Sequence, residues 1–130
     1  MNANVVHFEI PLDNIDRGHK FYRETFGWQV NALPDLNYAM VQTTESDDEG
    51  RPKNPGSING GMGKRQHPLS APVVTIMVDD ITAVQKKIEK NGGKVVQKKA
   101  PIGDGSMGFT GYFQDTEGNI IGLFQAPGGA

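Results

Sequence analysis

His7 and Glu9 are the pair of side chains whose types and spacing best suit chemistry. Residues Val5 to Pro11 alternate, with Val6, Phe8 and Ile10 apolar on one side and His7, Glu9 and Pro11 on the other. That period predicts a strand with one face in the core. Side chains two apart on a strand share a face and stand roughly 6 to 7 Å apart. An imidazole and a carboxylate so placed can bridge through water or a ligand, act as general acid and base, or supply two ligands to a divalent metal. A lone strand histidine also serves as a hydrogen-bonded structural residue, and the residues alone leave both readings open. His19, four residues before Arg23 on an amphipathic stretch, is expected at the surface, and His67 in a solvated connection. There is no cysteine, which excludes disulfides, thiolate ligands and a cysteine nucleophile.

The elements that must hold this pair repeat. Shifted by 66 residues, Ile10, Asp13, Ile15, Lys20, Gly27 and Val30 fall on Ile76, Asp79, Ile81, Lys86, Gly93 and Val96. With the offset shortened to 62, Gly56, Ile58 and Gly60 fall on Gly118, Ile120 and Gly122. Each copy reads as strand, capped helix, glycine stop and further strands. Asp13 or Asn14 caps the first helix, whose inner stripe reads Ile15, Gly18, Tyr22, Thr25 and Phe26, and Gly27 ends it. Asp79 or Asp80 caps the second, with Ile81, Val84 and Ile88 inward and Asn91-Gly92-Gly93 at its end. The expected organisation is one domain, 1–130, with module one over 5–63, a connection over 64–71 and module two over 72–127, the modules sharing one core. The charged segment Thr43 to Pro55 reads as a solvated, mobile loop.

A chain of 130 residues with a net charge of −2 has no general attraction to nucleic acid or anionic membrane. The lysines from Lys86 to Lys99 lack interleaved aromatics and read as a solvated face. No segment has the apolar length of a membrane span, and the start lacks signal-peptide character, so a cytoplasmic protein is expected. Gly103, Gly105 and Gly108 lie between strands rather than before a helix, which leaves a phosphate cradle unsupported. They read as a flexible rim carrying Met107 and Phe109.

Two βαβββ modules opening with HFEIPLDNIDRGHKFYRETFGW and closing with FQDTEGNIIGLF resemble the vicinal oxygen chelate superfamily, which includes glyoxalase I, bleomycin-resistance proteins and extradiol dioxygenases. The resemblance implies an α+β fold in which the modules form a concave, barrel-like mixed sheet around a cavity, with helices outside. It also implies a divalent metal held by one residue from the first and last strand of each module. Carried onto this chain, those positions are His7, about Gly60, Val73 and Gly122. One of the four can bind a metal, where a catalytic site usually needs three protein ligands, so no cofactor is expected and no residue is assigned as a metal ligand.

Parity from those positions predicts a cavity face of His7, Glu9 and Pro11; Ile58, Gly60 and Met62; Val73, Thr75 and Met77; and Ile120, Gly122 and Phe124. This is an apolar bowl, widened by Gly60 and Gly122, with His7 and Glu9 as the catalytic or anchoring pair and Met62, Val73, Thr75, Met77, Gly60, Gly122 and Phe124 as ligand-binding residues. The leading expectation is a small-molecule-binding protein. The alternative is a lyase, isomerase or dioxygenase-type enzyme, either metal-dependent through an unusual ligand set or metal-free through His7 and Glu9. The expected partners are a small-molecule ligand and a second copy, in a two-fold homodimer covering apolar surface at the module edges.

Overall fold

The structure, a computed structural model, describes residues 2–128. In chain order it comprises β1 (Val5–Leu12), α1 (Ile15–Phe26), β2 (Gln29–Leu33), β3 (Tyr38–Gln42), β4 (Asn59–Lys64), β5 (Val73–Met77), α2 (Ile81–Lys90), β6 (Lys94–Pro101), β7 (Phe109–Gln114) and β8 (Ile120–Gln125). The class is α+β, and the βαβββ order occurs twice. The chain divides into two compact units, one of His7–Pro72 and one combining the residues up to Val6 with those from Val73 onward.

In the first unit the strand order is β2-β3-β4-β1, with β1 and β4 parallel and the other pairs antiparallel. In the second it is β5-β8-β7-β6, with β5 and β8 parallel. Apolar side chains form one buried cluster in each unit. Leu12, Val30, Ala39, Val41 and Met62 are buried in the first, with Phe8, Ile10, Tyr22 and Trp28 packed against them. Val78, Ile81 and Leu123 are buried in the second, with Ile76, Val84 and Ile88 among their neighbours. Each sheet half hides one face against its own helix, which satisfies both apolar surfaces locally.

Between the paired cap candidates, geometry selects the residue nearer each helix. The Asn14 side chain accepts from the Arg17 amide at 2.9 Å, and that of Asp80 from the Ala83 amide at 3.2 Å. Asp13, left outside, binds Arg65 Nε at 2.8 Å. Gly27 takes a left-handed φ of 71° and donates its N–H to the Arg23 carbonyl, closing α1.

The inner stripe of α1 is rotated from the expected one. His19, expected at the surface, is 8 % exposed, whereas Ile15 and Phe26 are 39 % and 60 % exposed. Gly18 sets the rotation by close approach, since a Cβ there would stand 2.5 Å from Leu12 Cδ2. With Gly18 against β1, His19 and Tyr22 turn inward. His67 is exposed, as expected.

The loop after β3 is largely exposed but pinned by a buried side chain. Asn59 accepts from the Thr43 amide at 2.9 Å and donates to Ser46 Oγ at 2.8 Å and to the Gly50 carbonyl at 3.1 Å. In the second unit the D-x-E-G-N turn has a structural basis. The Asp115 carboxylate accepts from the Glu117 and Asn119 amides and from the Asn119 side chain. Those bonds, Asn119's side chain first, hold its carboxyl below the usual pKa.

Candidate functional site

The first unit's chemistry lies on the sheet face turned away from α1. In the parallel β1/β4 pair, His7 stands beside Asn59, Glu9 beside Gly61 and Pro11 beside Gly63, while Phe8 stands beside Gly60 and Ile10 beside Met62. Directly paired residues point to the same face. Phe8, Ile10 and Met62 belong to the helix-side core, and a Cβ on Gly60 would meet Phe8 at 2.5–2.6 Å.

Gly60 and Met62, expected beside His7, therefore lie on the opposite face, and Ile58 shares their parity. Gly61 and Gly63 take the place beside the pair. The error was one of register. Glu9 pairs with Gly61, and its repeat equivalent Thr75 pairs with Gly122. Gly61 rather than Gly60 is thus the counterpart of Gly122.

Tyr38, which the sequence reading passed over, completes this face. It pairs with Gly63 across β3/β4, and its ring runs along the sheet above Gly61 to His7. A Cβ on Gly61 would collide with the Tyr38 ring and hydroxyl, and one on Gly63 would stand 3.2 Å from Tyr38 Cδ1. The glycines at 61 and 63 form a floor without side chains, which the tyrosine covers. Its hydroxyl lies 2.9 Å from His7 Nε2. Two glycines one residue apart on a strand, leaving a row that a neighbour must fill, are the signal that could have revealed it.

Burial holds the His7 imidazole down at a pKa of about 4, from its ordinary 6.5, because the cation loses hydration that the site does not replace. The ring is therefore neutral at pH 7, with one nitrogen donating and the other accepting. Glu9 is buried, 8 % exposed, two residues along the same face.

By strand alternation Met40 and Gln42 share this face, and Gln29 and Asn31 join it through their pairs Gln42 and Met40. His7, Asn59, Gln42 and Gln29 thus form a polar row across the four strands. At its far end opens a concavity of about 460 Å³ lined by Gly27, Gln29, Gln42, Thr43, Thr44, Glu45 and Ser46. That lining is mainly amide and hydroxyl, and it includes none of the residues expected to face a cavity.

In the second unit the expected residues do share a face. Thr75 pairs with Gly122 and Met77 with Phe124, and Val73 has the same parity as Thr75 on β5. β7 adds Tyr112 beside Gly122 and Thr110 beside Phe124. Gly122 does not leave the space expected of it. A Cβ there would stand 2.7 Å from Thr75 Oγ1, and Thr75 and Val73 are 5 % and 3 % exposed.

With this geometry in view, comparison with known proteins decides the family. The profile of the Bleomycin resistance protein-like N-terminal family matches residues 4–44. A Glyoxylase-like domain-containing protein of Didymella fabae is 31 % identical over 134 residues, covering 98 % of both chains. The chain belongs to the glyoxalase and bleomycin-resistance group of the vicinal oxygen chelate superfamily. A probable lactoylglutathione lyase of Vibrio parahaemolyticus serotype O3:K6 (strain RIMD 2210633) is 26 % identical, over 95 % of this chain and 91 % of that protein. The fold matches that of a glyoxalase/bleomycin resistance protein/dioxygenase superfamily member from Vibrio splendidus 12B01. The TM-score is 0.59 at 15 % identity, over 95 % and 98 % of the two chains.

The superfamily's metal finds no fitting donor set here. Among the described residues no three His, Cys, Asp or Glu side chains are grouped to hold an ion. His7 and Glu9 offer two donors, and Gly61, Val73 and Gly122 offer no side-chain donor, short of the three ligands a catalytic site usually has. No helix among those residues is long and apolar enough to cross a membrane.

Proposed function

We propose that this superfamily member binds a small molecule on the face carrying His7, Tyr38 and Glu9. His7 anchors a ligand oxygen, and the polar row toward Gln42 and Gln29 receives the ligand's hydrogen-bonding remainder. The observation that carries this reading is the His7–Tyr38 bond over the glycine floor. It orients a neutral imidazole in a desolvated place, where a hydrogen bond to a ligand is stronger than in water.

The burial of His7 weighs against acid–base turnover. A general base working near neutral pH is most effective with a pKa near that pH, and an imidazole held at about 4 is a weak one. Recognition is favoured over proton transfer.

The test is protein-observed NMR with a panel of small ketones, carboxylates and primary amides. Hits are expected to shift the resonances of His7, Tyr38, Gln42 and Gln29, to leave the titrated compound chemically unchanged, and to disappear in His7→Ala. Hits confined to other surfaces, or conversion of a compound by wild type but not by His7→Ala, would overturn the reading.

A further inference from the structure

The hydroxyl groups lining the concavity of about 460 Å³ are already committed to partners in the protein, and those partners decide what the cavity can take. Asn59, 8 % exposed, is oriented by backbone groups at both ends of its amide. Its Oδ1 accepts from the Thr43 N–H and its Nδ2 donates to the Gly50 carbonyl, so the two ends cannot be exchanged. The same Nδ2 donates to Ser46 Oγ at 2.8 Å, which leaves the Ser46 hydrogen for the Thr44 carbonyl at 3.0 Å. Thr43 Oγ1 gives its hydrogen to the Ile58 carbonyl at 2.7 Å. Thr43 and Ser46 therefore have only lone pairs left for the cavity. Thr44 Oγ1 accepts from Asn54 Nδ2 at 2.9 Å and keeps its own hydrogen. Glu45 adds a carboxylate, which accepts only, and Gly27 brings the partly negative C-terminal end of α1. Two cations stand on neighbouring residues. Arg23 is engaged with the Val30 carbonyl at 2.9 Å, and Lys53 with Glu45 Oε1 at 3.3 Å. Gln29 and Gln42 can give or take a bond.

We propose that this concavity takes a protonated primary amine. The proposal deepens the reading above and rests on it for giving this end of the polar row to a ligand. An ammonium brings three donors and no acceptor, and Thr43 Oγ1, Ser46 Oγ and the Glu45 carboxylate are the acceptors it meets. Lys53 already places such a group on Glu45. That pair is exposed, and exposed pairs hold weakly, so an incoming amine displaces Lys53 readily. A carboxylate ligand would face Glu45 and spent hydroxyls, with the Thr44 hydroxyl and the two glutamine amides as its donors. A neutral amide would suit some of the acceptors but forgo charge-assisted bonds.

Titration of the full chain with n-butylammonium, butyramide and butyrate, followed by NMR at the backbone amides of residues 42–46 and at the His7 ring, tests the proposal. Butylammonium is expected to shift the amides of 42–46 and to bind at least about tenfold more tightly than butyrate, with butyramide between them. Glu45 and Lys53 are exposed, so substituting either spares the core. Glu45→Gln is expected to abolish most of the preference for the amine. Lys53→Met frees the carboxylate and is expected to tighten butylammonium roughly twofold to fivefold. Butyrate binding as tightly as butylammonium, or a preference unchanged in Glu45→Gln, would overturn the proposal. Ketone or amide probes that shift His7, while butylammonium leaves 42–46 unmoved, would overturn the amine site and spare the His7 anchor. Silence at His7 from every probe, with 42–46 still responding to butylammonium, would overturn the anchor and support the amine site.

Discussion

Gly61 and Gly122 occupy equivalent places in the repeat, beside Glu9 and Thr75 respectively, and the two surroundings have diverged. Over Gly61 lies a tyrosine from the neighbouring antiparallel strand, which reaches across to His7. Against Gly122 stands the hydroxyl of its own pairing partner, Thr75. The first unit has turned a missing side chain into a seat for a polar pair, and the second has closed the same gap with a small residue. The equivalent glycine thus takes a different occupant in each copy, because it admits a neighbour without specifying it.

Substitution at the two glycines tests that contrast, and the larger effect belongs to the first. Gly61→Ala places a methyl group where the Tyr38 hydroxyl and ring lie, so the ring must leave and the bond to His7 goes with it. Overpacking together with the lost bond is expected to cost about 3 kcal/mol or more in urea unfolding. The cost should be much reduced when Tyr38→Ala is made in the same chain. Equal stability of Gly61→Ala and wild type would show that the ring does not occupy the glycine floor.

The pH dependence of stability comes next. His7 protonates near 6.5 when unfolded and at about 4 when folded, so between those values the unfolded state binds more protons and stability rises with pH. The penalty is absent above about pH 6.5, grows as the pH falls, and reaches about 3 kcal/mol below pH 4, at 1.36 kcal/mol per unit. His7→Phe should lose that part of the slope. An identical profile in the variant would assign the dependence to other groups.

Gly122→Ala is expected to cost roughly 1–3 kcal/mol, with recovery when Thr75→Ala removes the obstructing hydroxyl. No recovery would mean that Thr75 is not what crowds Gly122. Tyr38→Phe keeps the ring on its floor and removes the oxygen bonded to His7, for about 1–2 kcal/mol. It is expected to change the nitrogen chemical shifts of His7 while leaving the second unit's spectrum unaltered. The smallest effects lie at the helix caps. Asn14→Ala and Asp80→Ala should each lower stability by about 1 kcal/mol, and a negligible loss at either would show that its cap contributes little.

Much of the molecule was legible in the chain because local rules govern it. The two helices, their caps, the left-handed Gly27 and the Asp115 turn each depend on residues within a few positions of one another. His7 and Glu9 share a face for the same reason, since alternation along one strand is a property of that strand. The second unit's Thr75, Met77, Gly122 and Phe124, assigned by parity from the positions the family resemblance implies, do share a face across the β5/β8 register.

The first unit's closing strand did not yield, and its residues explain why. NGGMGK has glycine at three of its six positions, and all but Lys64 are buried. No polar and apolar alternation is left to indicate which face is which. Only the hydrogen-bonded register with β1 places Gly61 beside Glu9 and sends Met62 into the core.

The sequence by itself determined the repeat, the element order, the helix ends to within a pair of cap candidates, and the shared face of His7 and Glu9, all set by short-range sterics and hydrogen bonding. The tertiary structure decided that Tyr38 is the partner of His7, that His19 is buried and that Asn59 pins the exposed loop. Each of those outcomes depends on strand register, close helix approach or hydrogen bonds between segments separated along the chain, which no local pattern encodes.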